Sequence, residues 1–280
     1  MAKAATTPVH AKGAMPASDL RVSLVQGDTR WHDPAGNREY YGGLMAPLRG
    51  TTDLVLLPET FTSGFSNDAI HQAETMDGPT VAWIRGQARQ LDAAVCGSVQ
   101  LRAGDAPGRV FNRLLFATPD GGLQHYDKRH LFRYAGEHER YAPGGPRLGV
   151  DWRGWRICPL VCYDLRFPVF SRNRFDVERP GAPDYDLLLY VANWPSPRAY
   201  AWRTLLRARA IENTTFVVGV GQCGPGVLGR SLVVGPDGAV LAELGEEPGA
   251  VTVELDPRRL GEVRAANPSL VNRRYVVVPR

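Results

Sequence analysis

The sequence predicts an α/β fold, and three observations carry the prediction. Short apolar runs rich in Val, Leu and Ile recur between turn-forming residues, with helical patterns between them for much of the chain. Several runs are apolar at successive rather than alternate positions, as expected of strands covered on both faces. Beyond residue 214 the strand-like runs crowd together, so the chain reads as layered α/β around a sheet region buried on two sides.

The elements follow in order. "RVSLVQ" (21–26) is the first strand, and "NREYYGGLMAPL" (37–48) is a helical pattern weakened by its glycines and proline. "DLVLLPE" (53–59) is a second strand. "GPTVAWIRGQARQL" (78–91) reads as a helix with proline near its start, where a missing N–H costs little. Strands are expected at 93–101, 112–119, 155–162 and 185–193. "AYAWRTLLRARAIEN" (199–213) gives the firmest helix, because Trp202, Leu205, Leu206 and Ala210 share one face at helical spacing. Strands at 214–221, 230–236 and 249–255 and a helix over 257–266 complete the chain. "ERPGAPD" (178–184) reads as a surface loop, since strand and helix patterns continue beyond it.

With 280 residues and 44% hydrophobic content, the chain can bury a sizeable core as one large domain or at most two small ones. Residues 1–19 are small, polar and proline-containing, and read as a disordered tail without the apolar core of a secretory signal. No apolar run reaches the ~18 residues of a membrane span. The net charge of +4 comes from scattered arginines, without a dense basic run, so no nucleic-acid partner is expected. Four cysteines, at 96, 158, 162 and 223, are too sparse for a disulfide framework and fit a reducing cytoplasm.

Cys162, in "PLVCYDLRFP", stands at the end of an apolar run and before a polar turn. It could be a core filler, half of a disulfide, a metal ligand or a nucleophile. A metal site is poorly supported, because no second Cys/His pair follows Cys158 and Cys162 at zinc-site spacing. A strand-to-turn junction exposes a side chain and leaves backbone N–H groups free, which suits a nucleophile. A thiol with its usual pKa near 8.5 then needs a base or a positive neighbour.

The sequence offers both. Glu59 closes the apolar run of "LVLLPETFTSGFS", although a solvated strand end would look the same. Lys128, in "YDKRHLF", stands out by composition: the chain has 30 arginines and three lysines, and Lys3 and Lys12 lie in the tail. A compact ammonium in a body that otherwise uses planar guanidinium suggests a special role.

The segments "LPETFTSGFS", "YDKRHLF" and "VCYDLRFP" resemble, in order and spacing, the Glu–Lys–Cys motifs of the nitrilase (carbon–nitrogen hydrolase) superfamily. "ANWPSPR" (192–198) and "WRTLLRARAIEN" (202–213) are similar to the segments that follow the cysteine there, so the resemblance spans residues 20 to 256. "KRHLFRYAGEHERY" followed by "CYDLRFPVFSRN" looks most like the bacterial omega-amidase branch, whose members deamidate 2-oxoglutaramate and 2-oxosuccinamate.

The resemblance implies a four-layer α-β-β-α sandwich formed by one domain over 20–280, a homodimer, and no metal or organic cofactor. It implies Glu59 as general base, Cys162 as nucleophile, and Lys128 with the backbone N–H of Tyr163 as oxyanion donors. Of the two glutamates beside the lysine, Glu137 fits the family spacing to "APG" (142–144) better than Glu139. An omega-amidase must also hold a distal carboxylate. Arg166 is the first candidate and Arg133 the second, with a structural ion pair such as Arg166–Asp164 as the competing reading. Asn193 and Trp194 are candidate pocket walls, and Phe61 and Tyr134 candidates for its entrance. Arg209 and Glu212 read instead as a structural ion pair. The stretch "GVGQCGPGVLGRSLVVGP" departs from the family pattern, with Arg230 where an acid is common, which leaves the conformation of that loop open. Rival functions are a nitrilase, an N-carbamoyl amine hydrolase, a deaminated glutathione amidase, and a binding protein without turnover. A papain-like enzyme lacks a histidine in a recognisable context.

Overall fold

The computed structural model describes residues 15–102, 109–174, 183–270 and 272. The expected loop at 178–184 falls largely outside them, as does most of the expected tail.

The first sheet begins with β1 (Leu20–Gln26), β2 (Leu54–Leu56) and β3 (Ala94–Arg102), which are parallel and adjacent. β4 (Val110–Ala117) and β5 (Leu123–Asp127) extend it antiparallel on one side, and β12 (Gly249–Leu255) closes the other. The second sheet repeats the plan. β7 (Trp155–Val161), β8 (Leu187–Ala192) and β9 (Phe216–Gly221) are parallel, flanked by β6 (Val150–Trp152) at one edge. β10 (Leu232–Val234) and β11 (Val240–Glu243) lie on the other side.

Period-2 alternation explains how the first sheet buries both faces. Leu54, Leu56, Ala94, Cys96, Leu114 and Phe116 point between the sheets into a core shared with Leu187, Leu189, Phe216 and Val218. Their neighbours Val55, Leu57, Val95 and Leu115 point the other way, against α1 (Pro34–Met45) and α2 (Pro79–Leu91) through Tyr41, Met45, Ile84 and Ala88. α5 (Ala199–Asn213) covers the outer face of the second sheet, with Trp202, Leu206 and Ala210 buried. Gly219 of β9 makes this approach close: a Cβ there would meet Leu206 at 2.6 Å and Trp202 at 2.7 Å. The layers are therefore helix, sheet, sheet, helix, as the family resemblance implies.

Three strands lay outside the sequence expectation: β5, β6 and β11. All three are sheet edges or lie next to none but one partner, and each is short or largely polar, so hydrophobic runs do not mark them. The expected strand at 53–59 is cut back to Leu54–Leu56 because Pro58 has no N–H for a ladder and Thr60 turns the chain at φ +47°. α1 starts earlier than expected. Asp33 caps it by accepting from the Gly36 N–H at 2.9 Å, and Pro34 occupies the first turn.

Candidate active site

The parallel strands of the two sheets deliver their C-terminal ends to one region. Glu59 follows β2, Lys128 follows β5, Cys162 follows β7 and Asn193 follows β8. This is where α/β sheets usually bind ligands, since the chain there leaves the ladder with free backbone groups.

Cys162 occupies a sharp elbow. Its φ is +44°, a left-handed conformation that costs a non-glycine residue about 1–2 kcal/mol, and a short 3₁₀ turn (Cys162–Arg166) begins there. Asp164 holds the elbow. Its carboxylate accepts from the Val161 N–H (3.1 Å), the His130 N–H (3.0 Å) and the Tyr126 hydroxyl (2.8 Å), and contacts His130 Nδ1 at 2.7 Å. The proposed alternative of an Arg166–Asp164 ion pair is therefore not made. Tyr163 lies in the first turn after the thiol, where a helical segment supplies no internal acceptor for its N–H.

Lys128 is fixed through its backbone as well as its side chain. Its N–H donates to the Asn112 carbonyl at 3.0 Å and its carbonyl accepts from the Gly144 N–H at 2.9 Å. Gly144 must be glycine, because a Cβ would fall 1.9 Å from the Asp127 carbonyl oxygen. That is the physical content of the "APG" spacing.

The charged groups converge in a buried site. Lys128 Nζ donates to Glu59 Oε1 at 2.8 Å and to Glu137 Oε1 and Oε2 at 3.0 and 2.9 Å. All three side chains are completely buried. Asn112 Nδ2 donates to Glu59 Oε1 at 2.7 Å and lies 3.3 Å from Glu137 Oε1, and the Asn193 N–H donates to Glu59 Oε2 at 2.9 Å. Gln222 Nε2 donates to the Glu59 carbonyl at 2.6 Å while its Oε1 accepts from Asn193 Nδ2 at 2.6 Å. Burial works against the Lys128 ammonium, but the Glu137 and Glu59 carboxylates outweigh it and hold its pKa above the ordinary value. Burial raises the Glu137 pKa, with Lys128 opposing. Burial and then the Glu59 carboxylate push the Cys162 thiol well above its usual value, while Lys128 pulls it down. Burial therefore favours the protonated thiol, and a thiol in such a setting needs a base to act as a nucleophile.

Glu59, Lys128 and Cys162 open onto a cavity of about 290 Å³. Tyr163, Arg166, Asn193, Trp194 and Tyr134 line it as the sequence suggested. Phe61 does not, which corrects the sequence reading. It is wholly buried on the helix side of the first sheet, edge-on to Tyr41 at 5.6 Å, because Thr60 reverses the chain just after Glu59. Arg133 is exposed and outside the cavity, and Glu139 is exposed while Glu137 is buried. Arg209 pairs with Glu212 at 2.9 Å, as a structural pair should. The loop around Arg230 is anchored: Leu228 N–H donates to the Trp194 carbonyl and Gly229 N–H to the Gln222 carbonyl, both at 2.8 Å, and Arg230 itself turns outward to Glu246.

Sequence reasoning passed over Asn112, Gln222, Phe65, Phe132 and Arg198. Asn112 is a polar residue inside the apolar run "VFNRLLFA", and that contrast was its available mark. Phe65, whose ring lies 5.3 Å from Lys128 Nζ, carried none.

An acid, an ammonium and a thiol converging on one cavity of an α-β-β-α sandwich define a hydrolytic enzyme. The chain belongs to the carbon-nitrogen hydrolase family, whose model matches residues 21–265. It is similar to the omega-amidase YafV of Escherichia coli (strain K12), at 43% identity over 89% of this chain and 95% of that protein. It is 32% identical to a 2-oxoglutaramate amidase of Bacillus subtilis (strain 168), over 88% of this chain and 95% of that one. A solved CN-hydrolase superfamily protein of Xanthomonas campestris, with an arsenic adduct in its active site, superposes with a TM-score of 0.90 at 61% identity, covering 94% of this chain and all of the other.

Proposed function

We propose that this chain is an omega-amidase that hydrolyses the terminal amide of a small dicarboxylic 2-oxo acid, 2-oxoglutaramate or 2-oxosuccinamate, to the acid and ammonia. The observation that carries the reading is the Glu59 carboxylate, aimed by three donors, sharing a cavity with Cys162 and an ammonium held between two carboxylates. Similarity to omega-amidases selects the substrate class.

Glu59 takes the Cys162 proton as sulfur attacks the amide carbonyl. Lys128 and the Tyr163 N–H receive the oxyanion, a contribution of about 3–4 kcal/mol per well-placed donor. Glu59 then passes its proton to the leaving nitrogen as the C–N bond breaks, and ammonia departs from a thioester. Water gives a proton to Glu59 and attacks the thioester, the C–S bond breaks, and Glu59 returns the proton to sulfur. Glu137 positions Lys128. Asn193 and Trp194 form the wall and Tyr134 the rim, and the distal carboxylate meets an arginine on the cavity, where Arg166 and Arg198 both lie. No step calls for a cofactor.

The enzyme is proposed to be a cytoplasmic homodimer. The four cysteines are all unpaired, which suits a reducing compartment. The outer face of α5 leaves Tyr200 and Ile211 exposed beside a hollow of about 890 Å³, a surface suited to a second copy.

Ammonia release from 2-oxoglutaramate, 2-oxosuccinamate, glutamine, a simple nitrile and an N-carbamoyl amine tests the assignment. The two oxo-acid amides are expected to lead the panel. Turnover of the nitrile alone overturns the amidase reading, and full activity in Cys162→Ala overturns the mechanism.

A further inference from the structure

Two guanidinium groups face the cavity with no acid to meet them. Glu59 is the one carboxylate among the described lining residues, and it is already engaged by Lys128, Asn112 and the Asn193 N–H. Arg166 lies over the Trp194 ring at 5.3 Å, and Arg198 lies over two rings, Tyr134 at 4.8 Å and Phe132 at 5.4 Å. Among the described residues neither arginine forms an ion pair, whereas Arg203, Arg209 and Arg230 nearby all do. The remaining wall is mostly aromatic or apolar: Phe65, Phe132, Tyr163, Trp194 and Pro195.

The two arginines differ in how they are held. Arg166 is exposed and rides on a single ring, while Arg198 is half-buried between its own segment and the 132–134 rings. The Arg198 backbone is pinned twice. Its N–H donates to the Pro195 carbonyl at 2.9 Å, and its carbonyl accepts from Trp194 Nε1 at 2.9 Å. Aromatic faces take up the flat sides of a guanidinium and leave its N–H edge open, the geometry that grips a carboxylate with two parallel bonds. A partly desolvated cation also pairs more strongly than an exposed one.

We propose that Arg198, braced by Phe132 and Tyr134, is the specificity-determining residue that binds the distal carboxylate of the substrate, ahead of Arg166. This rests on the omega-amidase reading, since it needs a substrate with a charge at the far end from the amide.

The test compares glutaramate with pentanamide, amides of equal chain length that differ in the distal carboxylate, alongside 2-oxoglutaramate. In Arg198→Met, kcat/KM for glutaramate and 2-oxoglutaramate is expected to fall about 10- to 100-fold, the span for losing a charge-assisted hydrogen bond. Hydrolysis of pentanamide is expected to stay within about twofold, which also shows that the variant folds. Inhibition of pentanamide hydrolysis by 2-oxoglutarate should weaken by a similar factor, and Arg198→Lys should recover part of both losses. Equal losses on the charged and neutral amides, or an unchanged inhibition constant for 2-oxoglutarate, overturn the role of Arg198 while leaving the omega-amidase reading standing. A wild-type enzyme that turns over pentanamide as well as 2-oxoglutaramate overturns both.

Discussion

Replacing Lys128 by methionine removes the ammonium that bonds two carboxylates at zero exposure. Glu137 and Glu59 then face each other in a buried interior, both within hydrogen-bond reach of Asn112 Nδ2, with the amides of Phe132 and Asn193 as other donors. At least one carboxylate must take up a proton for the variant to stay folded. Protonating a glutamate of ordinary pKa near 4.3 costs about 4 kcal/mol at pH 7.5 and about 1 kcal/mol at pH 5. A cost of about 4 kcal/mol lies in the range seen when one partner of a buried pair is deleted. The sign follows from linkage. In the variant the folded-state pKa of that carboxyl is raised above its unfolded value, so stability is retained at low pH and lost as pH rises above about 4.3. Urea unfolding of wild type and Lys128→Met at pH 5 and pH 7.5 measures the effect. The deficit should be large at pH 7.5 and shrink by about 3 kcal/mol at pH 5. A variant as stable as wild type at pH 7.5, or a deficit that does not change with pH, would refute the picture of an ammonium that holds two buried carboxylates together. Amidase activity in the variant should be lost at both pH values.

Cys162→Gly should be more stable than Cys162→Ala by about 1 kcal/mol, because glycine relieves the positive φ at the elbow; thermal melts of the two inactive variants check this. Gly144→Ala should destabilise by more than about 2 kcal/mol and lower kcat, since a Cβ 1.9 Å from the Asp127 carbonyl displaces the backbone that carries Lys128; paired melting and amidase assays read both effects. Alkylation of Cys162 by iodoacetamide, which forms a thioether with loss of iodide, should accelerate with pH through and beyond pH 9 with no plateau at neutrality, because burial and the Glu59 charge disfavour the resting thiolate; a plateau near pH 6–7 would point to a preformed thiolate–ammonium pair. Asn112→Ala should lower kcat about 10-fold or more with little change in KM, as one of the three donors that aim Glu59 is removed.

Much of this was legible along the chain. Strands covered on both faces announce themselves as unbroken apolar runs, so β1, β3, β4, β7, β8 and β9 were expected in place. Edge strands such as β5 and β6 carry weaker patterns, because half of their backbone and much of their side-chain surface needs no apolar cover. Glu59, Lys128, Glu137 and Cys162 were found through motif order, while Phe61 was misplaced. Nothing local tells whether the side chain that follows a strand end points toward the inter-sheet cavity or toward the helices. A single left-handed residue, Thr60, decides it.

The sequence by itself determined that Glu59 and Cys162 close apolar strand-like runs, since hydrophobic period and turn residues are properties of neighbours along the chain. The tertiary structure alone decided how they meet. Glu59 and Lys128 are 69 positions apart and Glu59 and Asn193 are 134 apart, yet each pair is joined by one hydrogen bond. Only the stacking of two sheets with their parallel strand ends together brings them into one buried site. That same burial ties one lysine and two glutamates into a single hydrogen-bonded set, and leaves Arg198 facing a cavity where a charge from outside can answer it.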